Sequence, residues 1–117
     1  MSSIIDIVID CIEESIDGMR AYRAVPSDRP ESFAVVELTG GRWVNAVQRS
    51  PAVGVDCWAA SNYEAETLAE SVAAALVSMP DKVENVFHVS IESIYNNQDI
   101  DSGTPRYTVG ATLTVNE

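Results

Sequence analysis

The sequence is poor in positive charge. It has seven Lys and Arg residues against 18 Asp and Glu residues, which gives a formal net charge of -11 over 117 residues. Proteins that bind phosphate groups need clustered Lys and Arg side chains, whereas this chain has one lysine, Lys82, and six scattered arginines. The composition therefore argues against direct nucleic-acid binding and against an anionic membrane surface. It fits a protein whose copies repel one another until a specific surface is engaged.

Residue types that commonly carry catalysis or bind metals are also scarce. His88 is the single histidine, and Cys11 and Cys57 are the two cysteines. The sequence has no nucleophile with an adjacent base, no metal-ligand spacing and no phosphate-binding glycine loop. The cysteines fall in a predicted helix and a predicted buried strand, where unpaired thiols act as small apolar residues and indicate a reducing compartment. We expect no enzymatic activity, no cofactor and no metal.

Long apolar runs are absent as well. No segment approaches the roughly 20 apolar residues of a membrane span. Asp6 and Asp10 interrupt the apolar start of the chain, and no basic residue precedes it, so neither a signal peptide nor a transit peptide is expected. The hydrophobic fraction is 46%, and a chain of this length builds one hydrophobic core. We expect a single domain over residues 1–117.

Two segments have helical periodicity. Residues 4–19 place apolar side chains on one face and acidic side chains on the other, and Ser3 can cap the first turn. Residues 61–64 read as a capping box at the start of a second helix. That helix is rich in alanine, which permits close packing on a sheet, and it is expected to stop before Pro80.

The rest of the chain predicts β-strands. A short edge strand is expected at 20–25, and two strands at 33–38 and 42–48 are joined by a hairpin turn at 39–41, because paired glycines tolerate the positive φ of tight turns. Residues 52–59 form the most apolar and therefore central strand. Strands at 86–95 and 107–115 follow. The predicted order is α-β-β-β-β-α-β-β, an α+β fold with a mostly antiparallel sheet of five to six strands and two helices packed on one face.

Several side chains are candidates for contacts with other protein chains, either copies of this chain or a different partner protein. The loop at 26–31 is exposed and semi-rigid because it holds two prolines, and it is either a plain linker or a contact loop. A polar turn before the last strand is shaped by Gly103 and Pro105. Arg106 either pairs with an acidic residue of a neighbouring subunit, such as Asp28 or Glu31, or is an ordinary exposed arginine, and the sequence leaves both open. The candidate contact residues are Asp28, Arg29, Glu31, Trp58, Asp101, Ser102, Thr104, Arg106 and Tyr107.

Four features in order resemble the tail terminator, or tail completion, proteins of long-tailed bacteriophages. An amphipathic N-terminal helix comes first, and a loop and strand over 25–41 follow. A strand at 53–59 with the alanine-rich helix after it is third, and the segment 99–107 before the terminal strand is last. The resemblance spans nearly the whole chain. The sequence departs from the family pattern at 94–99, where Asn96, Asn97 and Gln98 make the loop more polar than is usual in the family.

The resemblance implies a small α+β protein that assembles as a hexameric ring at the head-proximal end of the tail tube. Such a ring stops growth of the tube and offers a docking surface to the head connector. The implied partners are copies of the chain, the tail tube protein and a head connector or stopper protein. The implied location is the head–tail junction of the virion, after assembly in the host cytoplasm. The alternatives are another connector or stopper component or, with less support, a small ligand-binding domain, since α+β sheets host many activities.

Overall fold

The computed structural model describes residues 3–45 and 47–116 and is organised by one five-stranded sheet. The sheet order is β1-β2-β3-β5-β4, with β3 in the centre. Neighbouring strands are antiparallel except β1, which is parallel to β2. This confirms the α+β class and the mostly antiparallel sheet. The strands are β1 Ala21–Tyr22, β2 Phe33–Trp43, β3 Gln48–Trp58, β4 Val86–Asn96 and β5 Arg106–Asn116.

The helices are α1 Ile4–Ser15, α2 Asn62–Val77 and the single turn α3 Met79–Lys82. The Oγ of Ser3 accepts a hydrogen bond from the Asp6 amide at 3.1 Å, and the Oγ of Ser61 accepts one from the Glu64 amide at the same distance. These caps satisfy amides that lack a partner within the helix. Pro80 lies in the first turn of α3, where a missing N–H removes no helical hydrogen bond. None of the helices described is long and apolar enough to cross a membrane.

One hydrophobic core joins both long helices to a single face of the sheet. Alternate residues of β3 contribute Val53, Val55 and Cys57 to this core. Burial of each such aliphatic side chain stabilises the fold by about 1.5 to 3 kcal/mol. Cys11 and Cys57 are unpaired and buried in it. Burial raises the pKa of the Cys57 thiol to about 12, and it also raises the pKa of Cys11. Both thiols are therefore protonated core residues, as the sequence predicts.

The predicted hairpin turn at 39–41 is wrong. β2 continues through both glycines to Trp43, and the chain turns between Trp43 and Gln48. In that turn the Oδ1 of Asn45 accepts hydrogen bonds from the Val47 and Gln48 amides, each at 3.0 Å. The glycines instead mark a break in the β2–β3 register between Leu38 and Gly40, which is a bulge. Two predicted strands are thus one, and three strands separate α1 from α2.

Candidate subunit-contact surface

An aromatic cluster lies on the face of the sheet that carries no helix. Trp58 ends β3 and is paired in register with Phe33 at the start of β2. Their rings are stacked, with centroids 5.4 Å apart and planes 9° apart. The Tyr22 ring meets Phe33 edge-on at 6.1 Å. Together with Val35, these residues form a small hydrophobic cluster separate from the main core.

Two arginines cover the Trp58 ring. The guanidinium carbon of Arg29 lies 4.5 Å from the ring centroid, and that of Arg106 lies 4.9 Å from it. Arg29 is supplied by the exposed loop before β2, and Arg106 by the first residue of β5, which is in register with Trp58. Each cation–π contact contributes about 0.5 to 1 kcal/mol at an exposed site. Three of the candidate residues therefore meet at one place: Arg29, Trp58 and Arg106.

The indole N–H of Trp58 is enclosed and has no hydrogen-bond partner among the residues that the structure describes. The side chain is 4% exposed. An enclosed donor without an acceptor is unfavourable by about 1 to 3 kcal/mol.

A hydrogen-bond chain ties the loop between β4 and β5 to the sheet. The Thr108 hydroxyl donates to Asp56 Oδ1 at 2.7 Å and accepts from Asn97 Nδ2 at 3.1 Å. Arg106 Nε donates to the Asn97 carbonyl at 2.6 Å. Thr108 is buried, so these bonds form in partial shelter from water, where they are stronger than at the surface. The chain fixes both ends of the loop beside the Trp58 cluster.

The turn at the tip of this loop is built around Asp99. Ser102 Oγ donates to Asp99 Oδ2 at 2.6 Å and lies 2.8 Å from Thr104 Oγ1. The Gly103 amide donates to the Asp99 carbonyl at 2.8 Å, and Gly103 has a φ of +72°, a value that favours glycine. The Ser102 hydrogen bond lowers the pKa of Asp99, and the Asp101 amide acts in the same direction. The turn is thus held by its own side chains.

The described residues of this region do not place Ser102 beside the histidine of the chain. A serine nucleophile needs a general base such as histidine, whereas Ser102 donates to a carboxylate. His88 lies near the far end of β4, roughly 25 Å along the strand from the loop. Across the described residues, no group of three or more His, Cys, Asp or Glu side chains is placed to hold a metal ion. What the region offers is a rigid surface with two guanidinium groups.

The other candidate residues are placed differently. Asp28 and Glu31 are exposed in the loop that carries Arg29, and within the described chain neither forms an ion pair with Arg106. Within the described residues, the ion pair that forms joins Arg23 to Asp6, with a nitrogen–oxygen distance of 2.8 Å. Pairing of Arg106 across a subunit boundary stays a prediction. Tyr107 is half-buried and packs against the main core, on the other face of the sheet from Trp58.

Comparison with known proteins shows a likeness in fold to solved structures. No protein-family model matches the chain, and no curated protein matches it. Its fold is similar to that of a chain in a solved structure described as the virion of a native gene transfer agent particle. The TM-score is 0.56 at 16% sequence identity, and the match covers 95% of this chain and 85% of that chain. At this identity the likeness shows a shared fold.

Sequence reasoning missed a second surface at the far end of the β2–β3 hairpin, which we call the arm (residues 38–51). Four large apolar side chains are exposed there: Leu38, Trp43, Val44 and Val47. The guanidinium carbon of Arg49 lies 5.3 Å from the Trp43 ring centroid. The sequence does contain an indication of this surface, because residues 38–55 include no acidic residue although the chain as a whole is acidic. Placing the turn at 39–41 obscured it, because the same residues were then assigned to two short strands.

Proposed function

We propose that this protein is a structural virion protein of a phage-like particle, and that it acts as the tail terminator. In this role, copies of the chain form a ring, hexameric by the family resemblance, at the head-proximal end of the tail tube. The ring ends tube polymerisation and provides the docking surface for the head connector. The observation that carries the proposal is the fold likeness to a chain of a gene transfer agent virion over nearly the full length of both chains. The order of motifs along the sequence supports it independently.

The surfaces of the chain suit this role. The Trp58 cluster and the loop tied to it form a rigid region, as a docking surface requires in order to lose little conformational entropy on binding. The arm exposes apolar side chains, which mark contact sites when they are grouped. Contacts with the last ring of the tube would bury one face of the terminator ring. Its opposite face would then offer no template for another tube subunit, and growth would stop.

The test combines the protein with its own tail tube protein. We expect size-exclusion chromatography with light scattering to detect a ring-sized species, and electron microscopy to show tubes of limited length with an extra ring at one end. A monomer in isolation is consistent with a ring that assembles only on its tube. If neither rings nor capped tubes form in the mixture, the proposal is wrong. If the protein binds the portal side of the head and never the tube, it is a connector or stopper component instead.

A further inference from the structure

Ile100 lies at the tip of the loop between β4 and β5 and is 95% exposed, the highest value among the large apolar side chains of the described residues. A single exposed apolar residue is common on a protein surface and by itself indicates nothing. Ile100 differs because the backbone of its loop is held in place. An apolar side chain presented in this way acts as an anchor when a partner supplies a pocket for it.

Hydrogen bonds within the loop hold Ile100 in its exposed position. The Asp99 amide donates to the Thr104 carbonyl at 3.1 Å, and the Gly103 amide donates back to the Asp99 carbonyl at 2.8 Å. Gln98 Nε2 donates to the Gly103 carbonyl at 2.7 Å. These bonds close the loop on either side of Ile100. Because the tip is ordered before any partner binds, association costs it little conformational entropy.

The arm carries a pocket of suitable size and character. Its volume is about 180 Å³, and its lining includes the apolar side chains of Leu38, Trp43 and Pro51. The register places these three side chains on one face of the hairpin, since they occupy or pair with alternate positions of β3, namely 49, 51 and 53. The Arg49 guanidinium lies against the Trp43 ring of its own copy and forms part of the wall. An apolar cavity of about 150 Å³ takes a ligand the size of benzene, so this pocket has room for the side chain of Ile100.

The charge of the loop also favours the arm over other surfaces of a second copy. Asp99 and Asp101 flank Ile100, and the segment 97–105 has no basic residue. The arm contains no acidic residue, whereas the rest of the chain has 18 acidic and five basic residues. Like charges placed opposite one another disfavour association. The arm is therefore the part of a second copy that repels the acidic tip least.

The loop tip and the arm lie at opposite ends of the sheet. The register places Val86, the first residue of β4, level with Trp43 of the arm. From there β4 runs for 11 residues, a length of roughly 30 Å, before the chain enters the loop. Ile100 therefore does not reach the arm of its own copy, and a contact between them joins two copies.

We propose that Ile100 of one copy inserts into the arm pocket of the next copy, against Leu38, Trp43 and Pro51. This inference rests on the proposed ring function and names a contact that builds the ring. Each copy uses its loop on one neighbour and its arm on the other. Such a head-to-tail contact produces a closed ring when the rotation between copies closes.

Substitutions on either side of the contact test it. Ile100→Ala should weaken association between copies by about tenfold to a hundredfold, because the burial of an isoleucine side chain is lost. Ile100→Glu and Leu38→Glu should abolish association, since each places a charge in an apolar contact. Leu38→Ala serves if Leu38→Glu does not fold. Val77→Ala is the matched control, because it shortens an aliphatic side chain that is 53% exposed on α2, and it should assemble as the wild type does.

Mixing the two glutamate variants gives a second readout. The Ile100→Glu variant keeps an intact arm and the Leu38→Glu variant keeps an intact loop, so one intact contact forms between them. At a concentration at which the wild type assembles, a 1:1 mixture should contain a two-copy species, while each variant alone stays monomeric. Assembly is measured by sedimentation velocity and by electron microscopy, with and without the tail tube protein. Circular dichroism checks the fold of each variant.

The outcomes separate this inference from the proposed function. If the wild type forms rings or caps tubes and both glutamate variants do the same, the loop–arm contact is wrong and the ring function stands. If only one variant fails to assemble, or if the variants form rings that do not cap tubes, the loop and the arm have other partners and the inference is likewise overturned. If the wild type forms no ring and caps no tube, both fail. Loss of assembly in each variant, with the two-copy species in the mixture, supports the contact, and absence of that species contradicts it.

Discussion

The arm contains two adjacent glycines, Gly40 and Gly41, of which only one is required by the backbone, and substituting each by alanine tests this. Gly41 has a φ of +117°, and a Cβ there would lie 2.6 Å from both Pro51 Cα and the Ser50 carbonyl oxygen. These are backbone atoms of β3, so no side chain can rotate away. A Cβ on Gly40 would meet nothing within 4 Å, and Gly40 does not have a positive φ. Gly41→Ala should therefore disrupt the arm, whereas Gly40→Ala should not.

The expected magnitudes differ in sign as well as in size. A non-glycine residue held at an unfavourable positive φ costs about 1 to 3 kcal/mol. Relief of the clash at Gly41 also requires β2 and β3 to separate locally, and each hydrogen bond lost costs about 1 kcal/mol. We expect Gly41→Ala to lower the free energy of unfolding by about 3 kcal/mol. Gly40→Ala should change it by less than about 0.5 kcal/mol or raise it slightly, because alanine restricts the unfolded chain.

Thermal and urea unfolding, each followed by circular dichroism, measure both variants against the wild type. For a domain of this size 1 kcal/mol corresponds to roughly 4 °C in Tm, so Gly41→Ala should melt about 12 °C lower and Gly40→Ala within about 2 °C of the wild type. Equal destabilisation by both substitutions would refute this reasoning. Equal destabilisation would instead favour a hairpin turn at 39–41, which is the structure that the glycine pair suggests from the sequence. The arm would not exist in that structure.

Two further predictions concern the cluster and the core. Arg106→Ala should lower the free energy of unfolding by about 1 to 2 kcal/mol, because it removes the Trp58 cation–π contact and the hydrogen bond to the Asn97 carbonyl; Arg106→Lys should recover part of this in urea titrations. If Arg106→Ala leaves ring assembly and tube capping unchanged, the turn before β5 is local architecture only. Cys57 has a folded-state pKa raised to about 12, so its stabilising effect is complete below the unfolded pKa and decreases as the pH rises from about 9 towards 12. The stability difference between the wild type and Cys57→Ala should therefore shrink by about 1 kcal/mol for each pH unit in that window, and a constant difference would contradict the burial of this thiol.

The helices and the central strand could be predicted because their signals are local. Ser3 and Ser61 cap the helices through bonds to residues three positions away, and the alternation along β3 separates Cys57 from Trp58 within two adjacent positions. Neighbouring residues in the sequence do not determine whether the glycine pair at 40–41 forms a turn or a bulge. Glycine is typical of hairpin turns and of bulges alike, and the choice depends on which residues of β3 lie opposite.

The candidate site was predicted residue by residue but not as an arrangement. Trp58, Arg29 and Arg106 were each predicted as candidate contact residues, without any indication that they lie together. Their convergence follows from the register that pairs Phe33 with Trp58 and Trp58 with Arg106. Those residues are up to 73 positions apart in the chain, so a pattern read along the sequence cannot bring them together. Arg29 joins them only because the loop before β2 folds back over the ring.

The two surfaces differ in how far the chain already satisfies them. The Trp58 cluster has its rings stacked, two guanidinium groups over the indole and its flanking loop hydrogen-bonded, so most of its interactions are formed within one copy. The arm keeps its apolar side chains in water and its outer backbone edge unpaired within the described chain. The hydrophobic contribution to association is roughly proportional to the apolar area that association removes from water. Changes in the Trp58 cluster should therefore act mainly on the stability of the subunit, whereas changes in the arm should act mainly on assembly, and measuring both quantities for the same variants distinguishes the two surfaces.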